Sequence, residues 1–265
     1  MLFRSWRRLR IAELKAERKR LHEELKAART KRDQRPATLP DASAEAPGAA
    51  NEGALDEEAR REIVERFHIL YRDVMRLDKR ASWRGTRVIK CPLDLWIYQE
   101  LVYELEPDLI IETGTMDGGS ALYFASLLDL AGKGEIVTVD KVDRPGRPAH
   151  PRISYVLGSS IDDAILADLR VRAEGNRTVL VVLDSLHTEN HVLAELRAYR
   201  GFVTPGSYMV VEDSNVNGHP VFVEHGPGPL EAVTAWLPTQ REFEVDRGCE
   251  KFLLTANPMG YLRRR

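Results

Sequence analysis

Cysteine is nearly absent from this chain of 265 residues: Cys91 and Cys249 are the only two. They are too few for a disulfide framework, and their spacing makes no zinc ribbon or finger. Long apolar runs are missing as well, none approaching the ~20 residues needed to cross a bilayer. The opening stretch MLFRSWRRLRIAELK places charges where a signal peptide has its apolar segment. Internal repeats are missing too. These absences exclude a secreted miniprotein and a membrane-spanning helix, and they point to a reduced, cytoplasmic protein.

Charge is present in quantity but unevenly placed. Residues 1–35 hold 13 Lys/Arg against 5 Asp/Glu, leaving 26 basic and 36 acidic residues for 36–265. A basic arm therefore precedes an acidic body. The arm has no Gly or Pro and is rich in Arg, Lys, Glu, Ala and Leu, so it reads as a charged helix. Ile11, Leu14, Leu21 and Leu25 fall at heptad positions, which makes the arm coiled-coil-like, though too short for a firm heptad repeat. Phe3, Trp6 and Leu9 beside Arg4, Arg7, Arg8 and Arg10 also suit peripheral contact with an anionic membrane surface. A solvated, frayed helix is the plain alternative, and no nucleic-acid docking module is visible. Residues 36–56, PATLPDASAEAPGAANEGALD, are poor in large apolar residues and read as a flexible linker. The main domain is expected over 57–265.

Within that domain strand and helix patterns alternate. Ile63, Phe67, Leu70, Tyr71 and Val74 mark a helix in 57–80, and Pro92 opens another at its favoured first-turn position. Strands are expected at 109–111, 135–140, 153–156, 178–184 and 207–213, the last two apolar on both faces as central parallel strands are. Helices are expected between them, one starting at Ser160 as N-cap, and EFEVD and KFLLT supply a closing pair of short strands. This is an α/β, Rossmann-like, mostly parallel open sheet with an antiparallel C-terminal hairpin. Such sheets bind ligands outside the carboxyl ends of their strands.

The chemically interesting residues cluster at those ends. Glu112-Thr113-Gly114-Thr115-Met116-Asp117-Gly118-Gly119 is a Gly-rich turn after the first sheet strand, but Met116 stands where the dinucleotide fingerprint needs Gly. Asp140 follows the second strand, where an acid suits a ribose diol, so the pair favours a nucleoside-bearing cofactor over plain packing and capping. Asp184, Glu212 and Asp213 would repel one another at the sheet mouth unless a cation neutralised them. An all-oxygen set suits Mg²⁺ before Ca²⁺ or Mn²⁺, the alternative being that each acid caps a helix or meets a buried Arg. His187 is placed to act as a general base or, more simply, to start a helix. His219 and His225 read as loop residues.

The blocks KCPLDLWIYQEL (90–101), IIETGTMDGGSALYFA (110–125), VLDSLHT (182–188) and VVEDSNVNGHPV (210–221) resemble the cephalosporin hydroxylase family of class I S-adenosylmethionine-dependent methyltransferases, related to macrolide-sugar and rhamnosyl O-methyltransferases. The resemblance covers roughly 60–265. It implies a seven-stranded sheet and a cofactor site of Glu112, Thr113, Gly114, Gly118 and Ser120, with Glu112 and Gly114 along the methionine part. Asp140 would hold the ribose, Ser159, Ser160 and Asp162 would flank the adenine, and Asp184 would border both cofactor and metal. Asp184, Glu212 and Asp213 match the family's metal acids, and His187 its proposed base. The implied reaction is Mg²⁺-dependent methyl transfer from S-adenosylmethionine to a hydroxyl of a sugar in a glycolipid, polysaccharide or natural product. Apart from the resemblance, sheet enzymes of this size often associate through helices, so a homo-oligomer is an open expectation.

Two other readings compete. His187-Thr188-Glu189 with later histidines could serve a non-haem iron hydroxylase, which uses two His and one carboxylate. Alternatively the chain is a non-catalytic scaffold organised by its N-terminal helix.

Overall fold

The computed structural model describes residues 56–75 and 81–265. The expected basic helix over 1–35 and nearly all of the linker over 36–56 lie outside the described residues. Helix α1 (Glu57–Met75) comes first, followed by a two-stranded hairpin of β1 (Ser82–Trp83) and β2 (Thr86–Arg87). The sequence reading had no hairpin here. Its turn is Arg84-Gly85, both with positive φ (48° and 86°), as a two-residue hairpin connection requires. Helix α2 (Pro92–Leu105) then leads into the sheet.

The core is a seven-stranded sheet in the order β5-β4-β3-β6-β7-β9-β8. Its strands are β3 (Leu109–Thr113), β4 (Glu135–Asp140), β5 (Ile153–Leu157), β6 (Val179–Leu183), β7 (Tyr208–Val211), β8 (Phe243–Val245) and β9 (Tyr261–Arg264). The first five pair in parallel, and β9 pairs antiparallel with both β7 and β8. Helices α3 (Gly119–Ala131), α4 (Asp163–Ala173), α5 (Glu189–Tyr199) and α6 (Pro229–Trp236) flank it. The link from β4 to β5 has no helix. KFLLT is not a strand: Thr255 Oγ1 donates to Asp94 Oδ1 (2.6 Å) and the Ala256 amide to Asp94 Oδ2 (2.8 Å), tying that segment to α2. The hairpin's return strand is instead Tyr261–Arg264, whose Tyr261 and Leu262 are fully buried.

Alternation along the strands sorts the core into two layers. Leu109, Ile111, Val181, Leu183, Met209 and Val211 face α4, α5 and α6. Ile110, Ile136, Leu180, Val182 and Val210 face α2 and α3. Each such fully buried aliphatic side chain is worth about 1.5–3 kcal/mol. Helix α1 is different, because Ile63, Phe67, Leu70 and Val74 stay about half exposed and its buried residue is His68, paired with Asn215 (3.0 Å). Among the described residues no helix is long and apolar enough to cross a membrane.

β3 is the middle one of the five parallel strands, with β4 and β5 on one side and β6 and β7 on the other. The order in which the chain adds strands switches sides at the β3/β6 junction, although the two strands are parallel, and in such sheets ligands bind there, outside the carboxyl ends of the strands.

Candidate active site

Three strand ends lie side by side at this junction. The ladder continues past β6, with the Asp184 amide donating to the Thr113 carbonyl (3.0 Å) and to Thr113 Oγ1 (3.2 Å). The Glu212 amide donates to the Leu183 carbonyl (3.0 Å). Glu112, Asp184 and Glu212 are thereby brought to one mouth. Gly114 makes the close approach possible. Its φ is +86°, and a Cβ there would sit 1.8 Å from the Asp184 carbonyl oxygen. Gly118, also at positive φ, starts α3 under Tyr155 and Pro148. The glycines of this turn are thus required by the packing of the chain itself.

The acids meet two nitrogen-bearing side chains. Lys90, just before α2, reaches Asp184 Oδ2 (2.8 Å) and Glu212 Oε1 (2.5 Å) and is almost wholly buried. Tyr98 on α2 donates to the same Glu212 Oε1 (2.5 Å). His187 Nε2 lies 3.2 Å from Asp213 Oδ2 and 3.7 Å from Asp184 Oδ1. One donor atom from each of Asp184, His187 and Asp213 fits within 4.8 Å of the others, spacing suited to a metal ion. Asp213 holds a left-handed φ of 55°, with its amide bound to Asn257 Oδ1 (3.1 Å). The three predicted metal acids therefore divide: Asp184 and Asp213 converge on His187, while Glu212 turns one oxygen to Lys90 and Tyr98. The buried counter-charge foreseen as an Arg is a Lys.

Electrostatics follow from this crowding. Burial, then the neighbouring acid, raises the carboxyls of Asp184 and Glu212, with Lys90 pulling the other way. Burial opposes charge on Lys90 and His187, but the acids outweigh it and both are raised. Glu112 is pushed up to about 7 by burial, against the pull of Lys90 and of the Ser120 and Thr138 hydroxyls. Its Oε2 accepts from Thr138 Oγ1 (2.7 Å), while its fully buried Oε1 has no hydrogen-bond partner. A buried carboxylate oxygen left unmatched is costly unless a ligand's donor meets it.

The remaining predicted cofactor residues line the same edge. Asp140 accepts from the Met116 and Val142 amides (both 2.9 Å) and from Arg147 Nη2 (3.0 Å). Arg147, unnoticed in the sequence, also donates to the Met116 and Val142 carbonyls and so clasps the two loops around Asp140. Ser159 and Asp162 form a turn in which the Ser159 amide donates to Asp162 Oδ2 (3.2 Å). Asp162, rather than Ser160, stands at the helix cap of α4. Ser160 is buried beside His191 (3.3 Å), which also meets Ser185. Thr113 and Ser120 are buried at the turn.

The histidines of the loop after β7 lie outside the candidate metal cluster. His219 Nε2 pairs with Glu231 Oε1 (2.8 Å), and His225 contacts the Gly226 carbonyl. Among the described residues the candidate metal cluster holds one histidine, so the two-His arrangement of a non-haem iron hydroxylase is not assembled.

Comparison with known proteins agrees with this topology. Residues 76–265 match the rhamnosyl O-methyltransferase/CmcI family. The chain belongs to that family. It is therefore an S-adenosylmethionine-dependent O-methyltransferase, and the scaffold reading falls. A rhamnosyl O-methyltransferase of Mycobacterium tuberculosis is 38% identical over 210 residues, covering 76% of this chain and 85% of the relative. One from Mycobacterium leprae is 38% identical over 192 residues, covering 70% and 83%. Among solved structures, CmcI with Mg and SAM superposes with a TM-score of 0.58 at 20% identity, covering 88% of this chain and 87% of that one. An apo-structure of CmcI gives 0.54 at 22%, covering 87% and 86%. At those identities the structures speak for the shared fold.

Proposed function

We propose that this enzyme methylates a hydroxyl on a sugar, carried by a glycolipid, polysaccharide or natural product, using Mg²⁺ held by Asp184 and Asp213 with Glu212 and His187 alongside. The observation that carries the reading is the meeting of Asp184, His187 and Asp213 within 4.8 Å at the sheet mouth, beside Glu212, with burial raising the carboxyls of Asp184 and Glu212. Carboxylate oxygens suit a hard divalent cation, so the imidazole beside them is assigned to the proton and not to the metal. The rhamnosyl O-methyltransferases among the relatives support a sugar acceptor.

When bound, Mg²⁺ would supply Lewis acidity to the acceptor oxygen and S-adenosylmethionine the electrophilic methyl on its sulfonium. The residues supply the rest. Glu112 Oε1, unpartnered and buried, is the acceptor for the cofactor's ammonium group. Asp140 is placed for the ribose hydroxyls, and the Ser159–Asp162 turn with Ser160 for the adenine. As the acceptor oxygen gains a methyl group it loses a proton, which is assigned to His187 Nε2. Asp213 and Asp184 face that nitrogen and stabilise the imidazolium that results.

The test is transfer of labelled methyl from S-adenosylmethionine to a panel of rhamnosides and other deoxysugar glycosides, with Mg²⁺ or with excess chelator. Transfer that stops in chelator and returns on adding Mg²⁺ is expected. Undiminished transfer in chelator would remove the metal from the mechanism, and transfer to none of the glycosides would remove the acceptor class.

A further inference from the structure

Lys90 is the residue at this site that neither the acidic motifs nor the turn explains. Its side chain is 2% exposed, and its ammonium bridges acids 94 and 122 residues away in the chain. The strand ends it joins are already neighbours through the sheet ladder, so Asp184 and Glu212 are forced together whether or not a ligand is present. Tyr98 completes the arrangement, with its hydroxyl on Glu212 and its ring 5.9 Å from the ammonium. Two carboxylates fixed side by side in a buried mouth need a counter-charge, and Lys90 is the one the fold builds in.

We propose that Lys90 is a positioning residue that acts as the site's resident cation, holding Asp184 and Glu212 in place before any divalent ion binds. The charge count follows. With His187 neutral, as a base must be, the ionised Asp184, Glu212 and Asp213 bring three negative charges and Lys90 returns one positive, so the surplus of two matches a divalent cation. Lys90 occupies Asp184 Oδ2 and Glu212 Oε1, which leaves Asp184 Oδ1 and the Asp213 carboxylate facing His187. The matching of charge rests on the metal reading above. The holding role does not.

The experiment compares the full-length wild type with Lys90→Met, both stripped of metal, by thermal melting and by Mn²⁺ titration followed by electron paramagnetic resonance. Leaving a buried acid pair without its partner is expected to lower the metal-free melting temperature by roughly 10 °C. Removing one positive charge is also expected to tighten Mn²⁺ binding about tenfold, which loss of packing alone would not do. A metal-free melting temperature within about 2 °C of wild type would overturn the holding role, and Mn²⁺ affinity that is unchanged or weaker would overturn the matching of charge. If Lys90→Met does not fold, Lys90→Met with Glu212→Gln, which removes the cation together with one partner, is expected to fold and bind cofactor. Failure of that double variant to recover would overturn the holding role too. A wild type that binds no Mn²⁺ would remove the metal reading alone and leave the melting comparison to decide Lys90.

Discussion

Gly114→Ala isolates the geometric core of the site in one methyl group. The added Cβ would lie 1.8 Å from the Asp184 carbonyl oxygen and 2.6 Å from its carbonyl carbon, both backbone atoms that no rotamer change can move. The left-handed φ of +86° adds about 1–2 kcal/mol for a residue with a Cβ. Relieving the overlap requires the end of β6 to retreat from β3 by about an ångström or more. The Asp184 amide would then lose its bond to the Thr113 carbonyl, and its carboxylate would shift relative to Lys90 and His187. The combined stability cost is about 2–4 kcal/mol, or roughly 5–15 °C in Tm for a domain of this size. A misplacement of about an ångström at the reacting centre lowers turnover on the order of a hundredfold. Differential scanning calorimetry together with labelled-methyl transfer under saturating cofactor would measure both. A variant with wild-type Tm and turnover would refute the claim that the β3–β6 approach sets the position of Asp184.

Two further expectations address other parts of the site. Asp140→Ala removes the acid clasped by Arg147 and the Met116 amide; S-adenosylhomocysteine affinity by calorimetry should fall tenfold or more, while Mn²⁺ affinity stays unchanged, and equal losses in both would contradict separate cofactor and metal halves. Glu231 anchors the loop after β7 by accepting from His219, Asn217 and the Gly228 amide. Slight burial would raise its carboxyl, but those bonds win and hold it at about 2, below the usual 4.5. A depressed acid contributes stability that is present above pH 4.5 and lost as pH falls through about 2. The difference in stability between wild type and Glu231→Gln should therefore be full at pH 6 and shrink toward pH 2; a difference that grows with acid would contradict this reading.

Much of this architecture was legible in the chain because its strands advertise themselves. TVLVVLD and SYMVVED are apolar on both faces, as inner parallel strands are, and the acids at their ends could be placed at one edge by topology alone. The return strand was harder. KFLLT and GYLRRR both look able to pair with EFEVD, and the choice is made by Asp94, which claims Thr255 and Ala256 from a helix 161 and 162 residues earlier. Lys90 was hidden for the same reason: a single Lys before a Pro-started helix carries no local signal, and its partners come only with the fold. Charge bookkeeping at the sheet mouth was the available clue, since three acids demanded a cation and the chain could supply one itself. The stripe on α1 shows the opposite limit. Its period correctly gave a helix, yet Ile63, Phe67 and Leu70 remain half exposed, because periodicity fixes a face without naming what covers it.

The central claim is that acids from the ends of β6 and β7 hold a single divalent ion beside the methyl donor. Mn²⁺ titration of metal-free protein saturated with S-adenosylhomocysteine, watched by electron paramagnetic resonance, addresses it directly. Wild type should bind one ion per chain, and Asp184→Asn with Asp213→Asn should bind none while keeping the cofactor product. Equal Mn²⁺ binding by the double variant, or no binding by wild type, would contradict it.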